Sequence, residues 1–282
     1  MGIASGPAAP GADHVIAQRW DTYSTVDHAI WRALFERQSR LLAGRACDAY
    51  LDGLAALGVV ADGIPDFERL SGILARTTGW RIVAVPGLVP DDVFFRHLAR
   101  RQFPATRWIR RRDQMDYLQE PDVFHDVFGH VPMLMNPVFA DYLQAYGRGG
   151  LKALSLGALR NLSRLYWYTV EFGLIATAAG LRIYGSGIVS SHGETIYCLD
   201  DPGPKRIAFD LMRIMRTEYR IDDFQDCYFV IDDFDQLFAA TRPDFTPYYA
   251  ALRDLPDIAP GAVVAGDRLI PPAATARSGD RR

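Results

Sequence analysis

Two histidines, His125 and His130, stand five residues apart in a short segment that ends in glycine and proline. Imidazole is a frequent transition-metal ligand and a common acid or base, so this pair predicts metal binding or proton transfer. On a regular helix a five-residue spacing separates two side chains by about 140°, too wide for one small ion. We expect Gly129 to break the helix, which lets His130 turn back toward His125. The spacing excludes the HExxH arrangement.

A single carboxylate, Glu171, interrupts the aromatic and aliphatic residues 165–174. A buried carboxylate needs a metal, an arginine or a proton, because burial of an unpaired charge is costly. Two histidines and one carboxylate are the ligands of non-haem Fe(II) oxygenases, so His125, His130 and Glu171 are candidates for such a site. The structural alternatives are two helix-end histidines without a metal and an ion pair of Glu171 with an arginine such as Arg164.

The elements that must position these residues are mainly helical. A short helix with Pro121 and Asp122 in its first turn is expected to carry the two histidines. The apolar period also predicts a long helix that starts after Asp27 as N-cap. Helices are predicted over residues 28–57, 139–146, 159–179 and 206–216, a strand over residues 81–85, and strands or loops over residues 228–231 and around residues 259–265. The pattern indicates a mainly α fold with minor β (α+β).

Composition indicates one globular unit. The chain has 282 residues, of which 49% are apolar and 23% charged. We expect residues 14–270 to form a single catalytic domain, with disordered tails at residues 1–13 and 271–282, which are rich in small residues and proline. A chain of this length needs no metal to hold its core, so a metal site here would indicate chemistry.

Charge and cysteine content exclude several classes of function. The net charge of −3 lacks the basic excess of a nucleic-acid-binding protein. The longest mostly apolar stretch, residues 172–181, is about half of the ~20 residues that a membrane span needs. Three widely spaced cysteines are typical of reduced intracellular thiols, and nothing marks the N-terminus for secretion. A cytoplasmic protein is expected.

Three motifs occur in a fixed order: PDxxHDxxGHVP at residues 121–132, YWYTVEFGL at residues 166–174, and YGSGIVSSHGE at residues 184–194. Together with residues 64–88, they resemble the catalytic domain of the pterin-dependent aromatic amino acid hydroxylases, in particular the short bacterial members. The resemblance spans about residues 64–234. It implies the single-domain catalytic fold of that family.

The resemblance implies a monooxygenase reaction. His125, His130 and Glu171 would bind Fe(II) and leave one face of the metal open. Tetrahydrobiopterin would be the second source of electrons, and the partners would be dioxygen, reduced pterin and an aromatic amino acid. An iron enclosed by protein on all sides could not bind dioxygen, which is a physical reason for three ligands.

The family also implies residues for substrate binding. Arg110 matches an arginine that holds the amino acid carboxylate, for which a planar guanidinium is suited. Trp167 lies one helical turn before Glu171, so the two share a face and Trp167 could contact the substrate ring; core packing is the alternative. The other implied substrate-binding residues are Pro121, Gly187, Ser190 and Ser191.

For the pterin, the resemblance implies stacking on Phe94, an edge contact from the loop at Val89, and an acidic residue at Asp126. This sequence departs from the family at two points. Animal members carry glutamate at the position of Asp126 and serines where this chain has Pro90 and Asp91. The identity of the pterin that is used in the cell therefore stays open.

Two positions favour phenylalanine as the substrate over tyrosine or tryptophan. Tryptophan hydroxylases tend to carry phenylalanine where this chain has Trp167, and a bulky indole leaves less space for a second indole. Tyrosine hydroxylases carry aspartate at the position of Val230, and an apolar side chain gives a phenol hydroxyl no partner. Hydroxylation of L-phenylalanine to L-tyrosine is the expected reaction, with tyrosine or tryptophan hydroxylation as the alternative.

Two alternatives come from other classes of function. One is a zinc metallohydrolase with Asp126 or Glu194 as general base. The other is a metal-stabilised binding module without activity. Residues 257–282 contain no heptad repeat and include Pro260, Pro271 and Pro272, so we expect a monomer without a tetramerising helix. We also expect no separate regulatory domain.

Overall fold

The computed structural model describes residues 13–116 and 120–272. Helices hold 51% of the residues and strands 12%, which confirms the mainly α fold with minor β. The α-helices are α1 (Thr25–Leu42), α2 (Asp48–Ala56), α3 (Phe67–Thr77), α4 (Asp91–Ala99), α5 (Pro137–Ser155), α6 (Leu159–Tyr166), α7 (Ser186–Val189), α8 (His192–Asp200), α9 (Leu211–Arg216), α10 (Phe234–Thr241) and α11 (Thr246–Leu252). The strands are β1 (Arg81–Val85), β2 (Gln102–Thr106), β3 (Leu174–Thr177), β4 (Gly180–Ile183), β5 (Lys205–Ala208) and β6 (Cys227–Ile231).

Shorter helical segments complete the element order. Two π-helices, which we call the histidine π-helix (Phe124–His130) and the glutamate π-helix (Trp167–Glu171), carry the candidate metal ligands. Turns of 3₁₀-helix span Trp20–Thr22, Arg112–Gln114 and Val131–Met135.

The strands form two small sheets. Strands β1 and β2 pair in parallel. The larger sheet has the order β4-β3-β6-β5, in which β3 pairs antiparallel with β4 and parallel with β6. The strand predicted over residues 81–85 is confirmed as β1, and residues 228–231, for which the sequence left strand or loop open, form most of β6. Because β3 begins three residues after Glu171, this sheet anchors the end of the glutamate π-helix.

The prediction of one long helix over residues 28–57 is wrong, because this part of the chain forms two helices, α1 and α2. The chain breaks between them at a turn in which Gly44 has a φ of +73°, a backbone conformation that favours glycine. Asp27 is also not the N-cap. Ser24 takes that place, and its hydroxyl accepts from the backbone N–H of Asp27 in a capping box.

Two other segments that were predicted as helices are partly helix and partly strand. The helix expected over residues 159–179 ends after α6 and the glutamate π-helix and continues as β3, while residues 206–216 divide into β5 and α9. Short apolar runs do not distinguish a buried strand from a buried helix, which explains both differences. The helix expected over residues 139–146 is confirmed but longer, as α5.

The histidine π-helix lies in the core. The Trp31 ring of α1 meets the Phe124 ring edge-on, with centroids 5.3 Å apart, and Phe35 meets Phe128 in the same way at 5.5 Å. The hydroxyl of Tyr50 donates to the backbone oxygen of Phe128 at 2.8 Å. Helices α1 and α2 therefore fix the segment that carries both histidines.

The predicted tails, except for Asp13, Pro271 and Pro272, lie outside the described residues. Residues 259–265 form turns and loop. Within residues 13–116 and 120–272, the structure contains no helix with the length and apolarity that a membrane crossing requires.

Candidate active site

The sequence pattern predicted that the helix breaks at Gly129. The structure shows instead that the backbone from His125 to His130 is continuous and forms a π-helix. In a π-helix the repeating hydrogen bond joins residues five apart, so His125 and His130 lie on one side of it. Gly129 has another role. A Cβ atom there would lie 2.9 Å from the backbone oxygen of Ser186, so glycine allows α7 to pack closely on the histidine π-helix.

Glu171 reaches the histidines from the glutamate π-helix, where the N–H of Phe172 donates to the oxygen of Trp167 five residues earlier. The Nε2 atoms of His125 and His130 are 3.1 Å apart. Glu171 Oε1 lies 3.2 Å from His130 Nε2, and Glu171 Oε2 lies 3.7 Å from His125 Nε2. The three side chains therefore offer three ligand atoms that point at one another.

These separations fit a metal ion. Two ligand atoms at right angles, each about 2.1 Å from a metal, are about 3 Å apart. One ligand atom from each of the three side chains lies within 4.8 Å of the other two. Three ligands on one face, with the opposite face turned toward a cavity, form the arrangement that non-haem iron requires. The expected grouping of His125, His130 and Glu171 is confirmed.

Serine hydroxyls hold two of these ligands in place. Ser190 Oγ donates its proton to the backbone oxygen of Ser186 at 2.8 Å, so it can only accept from His125 Nδ1, 2.9 Å away. This contact places the proton of His125 on Nδ1 and leaves Nε2 with a free lone pair. Ser186 Oγ lies 3.0 Å from Glu171 Oε2 and contacts the backbone oxygen of Val170.

The local electrostatics keep both ligand types ready for a cation. Burial lowers the pKa of His125 to about 4, although the charge of Glu171 opposes this change. Burial alone would raise the pKa of Glu171, but the two neighbouring imidazoles and Ser186 bring it down to about 2. At neutral pH the imidazole of His125 is thus neutral and the carboxylate of Glu171 is charged, which are the forms that bind metals.

The alternative partner for Glu171 is engaged elsewhere. Arg164 pairs with Asp257 at 2.6 Å and donates to the backbone oxygen of Met215 at 3.2 Å. The ion pair between Arg164 and Glu171 that the sequence left open is therefore absent from the part of the chain that the structure describes.

A cavity of about 550 Å³ opens beside His125 and Glu171. Its walls include the residues that the sequence assigned to the substrate, namely Arg110, Pro121, Trp167, Gly187, Ser190 and Ser191. Chain segments far apart in sequence thus meet around one space. Ser191 also has a structural contact, since its Oγ caps α8 by accepting from the N–H of Glu194.

Arg110 is held by a carboxylate that the sequence analysis placed only at a helix start. Asp122 accepts from Arg110 Nε and Nη2, both at 2.8 Å, and from the backbone N–H of His125 at 3.0 Å. Burial opposes its ionisation, but Arg110 lowers the pKa of Asp122 below its usual value. Two of the five guanidinium N–H groups are used in this pair, which leaves three for a ligand in the cavity.

Comparisons with known proteins agree with this geometry. A family model described as "Biopterin-dependent aromatic amino acid hydroxylase" matches residues 19–247. The chain belongs to this family. It is 65% identical to the phenylalanine-4-hydroxylase of Ralstonia nicotianae over 258 residues, which cover 92% of this chain and 82% of the relative. It is 62% identical to that of Chromobacterium violaceum, over 91% of this chain and 89% of the relative.

Solved structures show the same fold. The iron- and phenylalanine-bound crystal structure of phenylalanine hydroxylase from Chromobacterium violaceum superimposes with a TM-score of 0.88 at 59% identity. The match covers 92% of this chain and 94% of the other. The single-domain catalytic fold of the biopterin-dependent hydroxylases, which the motifs implied, is therefore confirmed.

The residues expected at the biopterin, Phe94, Val89 and Asp126, are not among the described residues that line the cavity. Phe94 is half-buried, and its ring meets the Tyr166 ring edge-on with centroids 5.8 Å apart. Tyr166 in turn lies nearly parallel to His130 at 6.4 Å. Val89 is half-buried in the loop before α4, next to Leu88, which lines the cavity. The pterin contacts of Phe94 and Val89 stay predictions.

Asp126 is buried and hydrogen-bonded within the protein. Its Oδ2 accepts from the backbone N–H of Thr106 at 2.7 Å and from the hydroxyl of Thr106 at 2.9 Å. Burial raises the pKa of Asp126 to about 7. Its place next to His125, tied to the end of β2, supports a role in holding the histidine π-helix. Contact with the pterin stays a prediction.

Val230 lies inside the larger sheet. It is 1% exposed and pairs with Leu174 on β3 and with Ala208 on β5. The cavity walls, as far as the described residues form them, do not include it. The predicted role of Val230 in specificity stays a prediction.

Two residues of the site were missed by sequence reasoning. Ser186, which contacts Glu171, stands in the motif at residues 184–194 but has no feature that separates it from its neighbours. Gln225, which accepts from Trp167 Nε1 at 3.0 Å, lies more than 50 positions further along the chain. The signal for Gln225 is a polar amide two positions before the apolar run of β6.

Glu194 is a buried acid on the cavity wall. Its Oε1 accepts from the backbone N–H of Gln225 at 3.2 Å and from the hydroxyl of Tyr228. Burial raises the pKa of Glu194 to about 7; the hydrogen bonds from Tyr228 and Gln225 oppose the rise, and the charge of Asp223 adds to it. These contacts lie within the protein, which does not support Glu194 as the general base of a hydrolase.

The raised pKa of Glu194 predicts a pH-dependent loss of stability. Folding raises this pKa from 4.5 to about 7, so the stabilisation is complete below about pH 4.5 and is lost as the pH rises through 7. Between about pH 4.5 and 8, the wild type should lose up to about 3 kcal/mol of unfolding free energy relative to Glu194→Gln. Urea denaturation of both metal-free proteins over this range measures the difference. Asp126 is present in both proteins and cancels; parallel curves would refute the prediction.

Proposed function

We propose that this chain hydroxylates L-phenylalanine to L-tyrosine at a ferrous iron held by His125, His130 and Glu171, with dioxygen and a tetrahydropterin as co-substrates. The observation that carries the proposal is the convergence of these three ligands beside a cavity that also presents Trp167 and Arg110. The high identity to bacterial phenylalanine-4-hydroxylases supports phenylalanine as the substrate.

The side chains prepare the site for this reaction. When bound, iron and the reduced pterin supply the electrons that activate dioxygen toward an aromatic ring. The protein contributes the two imidazoles of His125 and His130 and the charged carboxylate of Glu171 on one side of the site, and the cavity lies on the other side. Ser190 orients His125 through Nδ1.

Arg110 and Trp167 are proposed to orient the substrate. The three N–H groups of Arg110 that Asp122 leaves free are suited to a carboxylate, since guanidinium forms paired hydrogen bonds with one. Trp167, which is half-buried at the start of the glutamate π-helix, offers a ring face to the substrate ring. Pro121 and Gly187 complete this part of the wall.

The test is turnover with defined components. The protein is loaded anaerobically with Fe(II) and mixed with phenylalanine, a tetrahydropterin and dioxygen, and tyrosine is measured by chromatography. We expect pterin-dependent tyrosine formation and a higher kcat/KM for phenylalanine than for tyrosine or tryptophan. A wild type that prefers tyrosine or tryptophan would refute the substrate, and an iron-loaded protein without pterin-dependent oxygen uptake would refute the reaction.

A variant of Trp167 sharpens the test of ring choice. Trp167→Phe enlarges the cavity, so kcat/KM for tryptophan relative to phenylalanine should rise roughly tenfold, the lower end of the range for one pocket contact. Trp20→Phe is the matched control, because Trp20 donates to the backbone of Ile64 and lies outside the cavity walls. An unchanged ratio in Trp167→Phe would show that Trp167 does not limit the size of the ring.

The cytoplasmic location, the monomeric state and the extent of the domain, residues 14–270, remain proposals. The monomer is supported by Pro260, Pro271 and Pro272 near the end of the chain, since proline cannot lie inside a coiled coil. The reduced, buried state of Cys47, Cys198 and Cys227 is consistent with an intracellular protein.

A further inference from the structure

The Trp167 ring is held by three contacts. It stacks on the Tyr219 ring, with centroids 4.4 Å apart and planes inclined by 18°, and it packs against the Phe172 ring at 4.9 Å. Its Nε1–H donates to Gln225 Oε1 at 3.0 Å. Aromatic contacts tolerate sliding and rotation in the plane of a ring, whereas a hydrogen bond from the indole N–H defines one rotation.

Gln225 is itself held with all its polar groups in use. It is 1% exposed. Besides Trp167, its Oε1 accepts from the backbone N–H of Arg220 at 3.4 Å, and its Nε2 donates to the backbone oxygens of Arg220 at 2.8 Å and Asp223 at 3.4 Å. The amide therefore closes the loop of residues 219–225 on itself. This loop also carries Tyr219, the stacking partner of Trp167.

The backbone of Gln225 is fixed from the other side of the cavity. Its N–H donates to Glu194 on α8 at 3.2 Å, and Tyr228 on β6 donates to the same carboxyl oxygen. Helix α8 begins directly after Ser191, which lines the cavity. Gln225 thus joins the serine-rich wall of the cavity to its aromatic wall.

We propose that Gln225 is the positioning residue for Trp167, and that it sets which aromatic ring the cavity accepts by holding the indole in one orientation. Without this hydrogen bond, the indole can rotate between Tyr219 and Phe172 and admit a wider ring. The part of this proposal that concerns the substrate ring rests on the proposed function, whereas the part that concerns the orientation of Trp167 does not.

The orientation can be tested without iron, pterin or substrate. The chain contains five tryptophans, so a ¹⁵N-labelled sample should show five indole N–H peaks, and the Trp167 peak is the one that disappears in Trp167→Phe. In Gln225→Met, which keeps the length of the side chain, this peak should move upfield. Its hydrogen exchange should become roughly tenfold faster or more, because the protecting hydrogen bond is lost.

A matched control is available in Gln144. Its Oε1 accepts from Arg101 Nε and its Nε2 donates to the backbone oxygen of Ala99, both at 3.0 Å. Gln144→Met therefore removes the same kinds of hydrogen bond at a place away from the cavity walls. The Trp167 peak should keep its position in this variant.

Kinetics test the consequence for specificity through a double-mutant cycle. In Gln225→Met, kcat/KM for phenylalanine relative to tryptophan should fall roughly three- to tenfold, the range expected for the loss of one buried hydrogen bond. In the Trp167→Phe background the same substitution should leave the ratio unchanged, because the two residues act through one contact. A purely structural role of Gln225 would lower the ratio equally in both backgrounds and would refute the proposal.

Two further outcomes decide against the proposal. An unmoved Trp167 peak in folded Gln225→Met would refute it. If that variant does not fold, the wild type decides alone: a Trp167 N–H that exchanges as fast as an exposed indole refutes the proposal, and a protected one supports it. A wild type that forms no tyrosine refutes the proposed function and leaves the exchange result standing.

Discussion

His130→Ala is expected to lose most of its bound iron and nearly all of its activity while it keeps its helical circular dichroism. The three ligand atoms lie within 4.8 Å of one another, so each supplies a third of the protein's coordination. Loss of one leaves two ligands, too few to compete with water for the ion. The backbone around residue 130 is held by Phe124, Phe128 and Tyr50 and should stay folded.

The measurement combines metal analysis after gel filtration with tyrosine formation at saturating iron. His125→Ala and Glu171→Ala should behave like His130→Ala. His14→Asn is the matched control, because His14 lies outside the cavity walls and asparagine tolerates its positive φ of 57°. An iron-replete and active His130→Ala protein would refute the assignment of the ligands.

The second large effect is expected at the buried pair of Arg110 and Asp122, whose side chains are 6% and 0% exposed. Arg110→Met leaves the carboxylate of Asp122 buried with only backbone partners, which should cost about 3–5 kcal/mol of unfolding free energy. It also removes the proposed partner of the substrate carboxylate, so KM for phenylalanine should rise roughly a hundredfold or more.

The double variant Arg110→Met/Asp122→Asn separates the two effects. Removal of both charges should restore most of the unfolding free energy, because no unpaired charge remains buried, while KM stays raised. Urea denaturation and steady-state kinetics measure the two quantities on the same samples. Recovery of KM together with stability would show that Arg110 acts only through the fold and does not hold the substrate.

The candidate site shows which features a sequence can predict. The pairing of His125, His130 and Glu171 followed from residue types and from motifs that resemble a known family, and the structure confirmed their convergence. The route was wrong in one respect: Gly129 does not break the helix. The i to i+5 hydrogen bonds that bring the histidines together depend on packing against α1 and α7, which no local pattern reveals.

Elements near the core were harder to assign. Residues 174–177 and 205–208 form strands β3 and β5, although their sequence fits a buried helix as well. Only pairing with β6 settles the choice, because the hydrogen-bond partners of a strand lie elsewhere in the chain. The sequence also did not reveal that Val230 lies outside the cavity walls formed by the described residues, since the side on which a strand residue lies depends on the sheet around it.

The sequence by itself determined the family, the mainly α fold and the grouping of His125, His130 and Glu171, and it named Arg110 and Trp167 as candidates for substrate binding, because residue types at fixed spacing in order carry that information. Only the tertiary structure decided how these residues are held. Asp122 pairs with Arg110, Ser190 sets the tautomer of His125, and Gln225 reaches Trp167 across 58 positions. Such contacts join segments that are distant in the chain, and their geometry follows from the packing of the whole core.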